Sequence, residues 1–136
     1  MFHLSIRPKE NSIVRNHFFN KQYGCEELCG GCPVRPHESF EITIVAEADL
    51  YKVLVNGQNF CTFNHRLSMD LAKFIYIRGA CNIQYILVED NVNNVNGIAT
   101  IPIHYPALPF LGQIPSGMRN GLVLKIRGVI HGSSSR

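Results

Sequence analysis

Apolar and polar residues alternate with a period of two along much of this chain. Phe40-Glu41-Ile42-Thr43-Ile44-Val45 places Phe40, Ile42 and Ile44 on one side, as a half-buried strand requires. Residues 51–55 repeat the pattern, and 60–63 follow after Asn56-Gly57. Both residues of that dipeptide tolerate positive φ, so the sequence predicts a hairpin turn there. Further strands are expected at 74–78 and 83–88, separated by Gly79. The one helix-like stretch, 69–74, is far shorter than the roughly 12 residues an isolated helix needs. Near the start, His3, Ser5 and Arg7 are spaced by two, with Leu4 and Ile6 between them, which predicts a strand with its polar side out. The class is all-β, and strands at this spacing with turn chemistry between them indicate a sandwich or barrel.

From Glu89 the pattern breaks. Asn91, Asn93, Asn94 and Asn96 lead to Gly97, and Pro102, Pro106 and Pro109 follow. Proline removes a ladder donor, so this stretch cannot be a central strand; a linker or extended crossing segment is expected over 89–108. Alternation returns at 121–130, where Leu122, Leu124 and Ile126 share a face, before the flexible Gly132-Ser133-Ser134-Ser135 tail. A single strand is not a domain. The last third therefore either docks back onto the first part or opens a second domain.

Composition narrows the function more than the fold. At 136 residues there is room for one domain, and 46% hydrophobic content excludes a disordered chain. Thirteen Lys and Arg against ten Asp and Glu leave a net charge of only +3, scattered along the sequence, so no nucleic-acid partner is implied. No apolar run approaches the roughly 18 residues of a membrane span, so no membrane insertion is expected. The first residues lack the apolar region of a secretory signal, which points to reduced thiols and cytoplasmic residence. Of five cysteines, Cys25, Cys29 and Cys32 are close together. A dithiol or zinc site is the sharp reading of that cluster, but no helix follows to lower a thiol pKa and no second ligand pair completes a metal site. Ordinary loop cysteines, with no metal and no cofactor, are expected. No nucleophile elbow, zinc-protease or P-loop motif occurs, and Glu26 and Glu27, as strand neighbours, point to opposite faces. Nothing nominates an enzyme.

A polar set remains: His3, Ser5 and Arg7, then Arg15 and Asn16, then Tyr23 and Glu26. It reads either as a solvated sheet face or as a surface for sugar hydroxyls. Sugars favour planar multi-donor side chains, a carboxylate acceptor and an aromatic ring for their apolar side. The surrounding residues resemble the galectin carbohydrate-recognition domain. Tyr51-Lys52-Val53-Leu54-Val55-Asn56-Gly57 followed by Phe63-Asn64-His65-Arg66 is similar to that family's F-x-V-x-V-N-G … F-x-H-R strand pair. His3-Leu4-Ser5-Ile6-Arg7 falls on its H-x-N-x-R strand, Val14-Arg15-Asn16 on V-x-N, and Tyr23-Gly24-Cys25-Glu26-Glu27-Leu28 on W-G-x-E-x-R. The resemblance covers about residues 2–88. It implies an antiparallel jelly-roll sandwich of concanavalin-like type and recognition of β-galactoside glycans or glycoproteins through His3, Ser5, Arg7, Asn16, Tyr23 and Glu26. It also implies export without a signal peptide.

Three positions depart from the family pattern: Ser5 stands for Asn, Tyr23 for Trp and Leu28 for Arg. At about 1 kcal/mol for each lost contact, affinity is expected to fall on the order of a hundredfold. A galectin-fold protein-interaction module without sugar binding is the alternative. Residues 109–128 resemble the opening segment of a galectin domain, Pro109 and Ile114-Pro115 leading to Gly121 and Gly128. The expected organisation is thus 1–88 as most of one domain, incomplete at its N-terminus, 89–108 as linker, and 109–136 as the first strands of a second, as in a fragment of a tandem-repeat galectin. A tether of some 32 residues samples about 30 Å, enough for 109–130 to dock beside 83–88, or onto a second copy as a strand-swapped homodimer.

Overall fold

The structure, a computed structural model, describes residues 2–7, 12–27, 30–66, 74–77, 79, 81–91, 98–114, 118 and 120–130. Every regular element among them is a strand. They are β1 (Phe2–Arg7), β2 (Ser12–Phe19), β3 (Gln22–Tyr23), β4 (Ser39–Ala46), β5 (Leu50–Val55), β6 (Gln58–Asn64), β7 (Phe74–Ile77), β8 (Cys81–Asn91), β9 (Ile98–His104), β10 (Phe110–Gln113) and β11 (Leu122–Ile130). Six form one antiparallel sheet in the order β6-β5-β4-β11-β8-β9; β1-β2-β3 and β10-β7 form two smaller sheets. This is the all-β antiparallel sandwich of galectin jelly-roll type.

Alternation puts the core where the sequence placed it. Phe40, Ile42, Ile44 and Ala46 of β4 are buried with Tyr51, Val53 and Val55 of β5. Leu4 and Ile6 of β1, Ile13 of β2 and Ile75 of β7 pack into the same cluster, so all three sheets share one core. Phe2 lies between Tyr51 and Phe63, its ring centroid 4.8 and 4.7 Å from theirs. The β5–β6 turn has Asn56 at φ 52° and Gly57 at φ 83°, the conformation Asn-Gly favours. Asn56 closes it: its N–H donates to Glu41 O and its Oδ1 accepts from Glu41 N–H, both at 2.8 Å.

The C-terminal third is built into the sandwich. β11 pairs β4 on one side, with Leu124 opposite Ile44, and β8 on the other, with Leu124 opposite Val88. Docking beside 83–88 was expected; β11 pairs there and also with β4, so it occupies the middle of the sheet with its backbone satisfied on both sides. Leu122, Leu124, Gly128 and Ile130 face the core, whereas Val129 points the other way because alternation continues unbroken along the strand. Opposite Gly128, the register of β8 slips past Gln84, a bulge that brings Ile83 and Ile86 to the same side. A Cβ at Gly128 would stand 2.4 Å from Asn82 O, so the bulge requires glycine.

The 89–108 stretch is not simply a linker. Glu89, Asp90 and Asn91 extend β8, and Ile98–His104 returns as β9, with Pro102 opposite Leu87. The proline rule holds in a narrower form: β9 is an edge strand, the position where a missing ladder donor is tolerated. Of the helix-like stretch 69–74, only Phe74 is described, and it begins β7. Cys29, Leu28, Arg78 and the serine tail lie outside the described residues.

Candidate functional site

The polar set gathers on the β1-β2-β3 sheet. Register places His3 opposite Asn16, Ser5 opposite Val14 and Arg7 opposite Ser12. Phe2, Leu4 and Ile6 therefore share the core-facing side with His17, Arg15 and Ile13, and Ser5 lies on the other side, with His3 and Arg7 at the register positions two residues to either side of it. Phe18 pairs with Tyr23, and Gly24 N–H donates to His17 O at 3.1 Å. Pairing resumes only at Arg15 and Glu27, whose N–H and C=O groups exchange bonds of 3.0 and 2.8 Å. Cys25 and Glu26 together thus stand opposite Asn16 alone, a bulge that turns both outward. Tyr23 is 55% exposed, and Cys25 and Glu26 are exposed beside it.

Asn16 differs sharply, being 2% exposed. Its Nδ2 donates to Gly24 O at 2.9 Å; its Oδ1 accepts from Arg66 Nη1 at 3.0 Å and from His17 N–H at 2.7 Å. The amide orientation is fixed by its partners, since a guanidinium only donates and a carbonyl only accepts. The same Arg66 contacts His17 Nδ1 at 3.1 Å, donates from Nη2 to Glu27 Oε2 at 2.8 Å, and lies over the Phe63 ring at 4.6 Å. Arg15 is buried, with Nη1 donating to Ile13 O at 2.8 Å and its guanidinium 5.3 Å from the Phe60 ring. Burial pushes the neighbouring Cys61 thiol above its usual range; Arg15 opposes that shift and Glu27 adds to it.

The structure thus brings Ser5, Asn16 and Tyr23 onto one sheet, with Glu26 in the bulge that follows β3 and His3 and Arg7 at register positions on β1. Arg66, Glu27 and His17 escaped the sequence reading as parts of this cluster. Arg66 stands in a quoted motif, but 50 positions separate it from Asn16, and no local spacing joins the two. Among the described residues, no group of three or more His, Cys, Asp or Glu could hold a metal ion. Cys25 is exposed, and Cys32 donates instead to Val34 O at 3.4 Å.

Residues 1–88 match the family model described as galactoside-binding lectin. The chain belongs to that family. It is 32% identical to galectin-4 of Bos taurus over 88 residues, covering 63% of this chain and 26% of that protein. Galectin-8 of Rattus norvegicus is 26% identical over 148 residues, covering 96% and 46%. The 32 kDa beta-galactoside-binding lectin of Caenorhabditis elegans is 31% identical over 134 residues, covering 98% and 43%. The chain therefore spans about a quarter to a half of these relatives' lengths. No solved structure matches it.

Proposed function

We propose that this chain binds β-galactosides, with reduced affinity, through the outer side of the β1-β2-β3 sheet, and performs no catalysis. The observation that carries the reading is the register setting His3 across from Asn16 and Ser5 across from Val14, with exposed Tyr23 and Glu26 on the next segment of the same sheet. On this reading His3, Ser5 and Arg7 bond sugar hydroxyls, the Glu26 carboxylate accepts from one, and the Tyr23 ring covers the sugar's apolar side. Asn16 plays a limited direct part: its Oδ1 already has two donors and one Nδ2 hydrogen is taken, so it retains a single donor. That commitment adds to the losses at Ser5, Tyr23 and Leu28. Retention on immobilised lactose, reversed by free galactose, tests the reading, and S5N/Y23W/L28R should strengthen it.

The burial of Asn16 favours a second reading, a galectin-fold module that recognises protein and has lost the sugar. Failure of the triple variant to gain lactose binding, in protein that keeps its fold, would select it.

A further inference from the structure

Resting on the lectin reading above, we propose that Arg66, just beyond β6, is a positioning residue for the sugar-facing segment 23–26. Backbone bonds hold that segment only at its ends. β3 is two residues long, and between the Gly24 bond to His17 and the Arg15–Glu27 bridge its ladder to β2 is interrupted. Side chains reinforce both ends. Arg66 Nη2 holds Glu27 Oε2 at 2.8 Å, and Arg66 Nη1 holds Asn16 Oδ1 at 3.0 Å, while Asn16 Nδ2 in turn holds Gly24 O at 2.9 Å. The two clamps, at Gly24 and Glu27, bracket Cys25 and Glu26, so the direction in which Glu26 points depends on both.

The guanidinium itself is fixed from below. It rests on Phe63, which is 2% exposed and part of the core, so the six-stranded sheet sets where the clamp stands. Its planar fork reaches Asn16, His17 and Glu27 together. A lysine ammonium, a point donor on a flexible stem, cannot span these acceptors, so R66K should behave as R66Q does.

The sequence contains no tryptophan, which makes Y23W a single fluorescent reporter inside the segment. Lactose affinity is read from its emission, and segment motion from its time-resolved anisotropy without sugar. Adding R66Q or R66K should lower lactose affinity roughly tenfold, the scale of one charge-assisted hydrogen bond, and add a fast component to the anisotropy decay. A merely structural role would lower the thermal midpoint and leave the anisotropy decay unchanged; that result overturns the proposal. If Y23W alone shows no lactose response, the lectin reading fails, and the anisotropy still decides the positioning role. Should far-UV circular dichroism show that R66Q does not fold, E27A removes only the acceptor of the clamp at Glu27, and an unchanged decay there overturns the proposal equally.

Discussion

Leu122→Ala tests whether the C-terminal strand belongs to the same cooperative unit as the rest of the sandwich. Leu122 is 1% exposed, and β11 lies between β4 and β8, so a cavity there opens in the middle of the six-stranded sheet. Removing such a side chain costs about 2–5 kcal/mol, the transfer loss plus the cavity left behind. Val123 is the matched control: it is the next residue, half-buried on the opposite side of the sheet, and its truncation should cost about 1 kcal/mol or less. With an unfolding entropy of about 2.1 cal/mol/K per residue, 136 residues give roughly 0.3 kcal/mol/K. A 3 kcal/mol loss thus lowers the melting midpoint by about 10 °C, and the Val123→Ala loss by no more than about 3 °C. Urea unfolding followed by circular dichroism and by tyrosine fluorescence should show one transition for both variants. Equal effects of the two substitutions, or a Leu122→Ala variant that melts like the parent, would refute the placement of β11. Two separated transitions would refute the shared core.

Alkaline stability should depend on Tyr85, whose hydroxyl donates to Glu41 Oε2 and whose pKa is held above the usual phenol value, first by that bond and then by burial. A raised native pKa adds stability that is complete below the unfolded-state value of about 10 and is lost as pH climbs through the native value. Y85F should therefore be less stable than the parent at neutral pH, and the difference should shrink in unfolding curves taken above about pH 10; a gap that stays constant with pH would contradict this. Thiol labelling gives another check. Cys25 is exposed, whereas burial pushes Cys32, Cys61 and Cys81 above the ordinary thiol range, so a thiolate-selective reagent at neutral pH should modify Cys25 before the other three. Peptide mapping that finds Cys61 or Cys81 labelled first would be inconsistent with their burial.

What the sequence made legible was local. The alternation of β4 and β5, the Asn56-Gly57 turn and the core side of β1 are written in neighbouring residues, and each is where its pattern put it. The position of β11 was harder. Its alternation announced a strand, but insertion between β4 and β8 is a pairing across long separations that no window of sequence contains. The β8–β9 pairing was hidden by Pro102, a residue that disfavours strands in general yet is tolerated at an edge. The site shows the same division. The period-two row of His3, Ser5 and Arg7 could be read directly, and Asn16 falls across from it. That Asn16 is buried under contacts from Arg66 depends on how the end of β6 meets β2. Motif spacing carries no information about such a contact.

The most direct measurement of the central claim, that the β1-β2-β3 sheet binds β-galactosides, is a lactose titration of the isotope-labelled chain followed in ¹H–¹⁵N spectra. Weak binding is visible there even when retention on a column is not. Saturable shifts centred on the amides of Ser5, Asn16, Tyr23 and Glu26 are expected, with those of β11 unmoved. An affinity roughly a hundredfold below that of S5N/Y23W/L28R is expected with them. Spectra that remain unchanged to the solubility limit of the sugar, in the parent and in that variant alike, would contradict galactoside binding at this sheet.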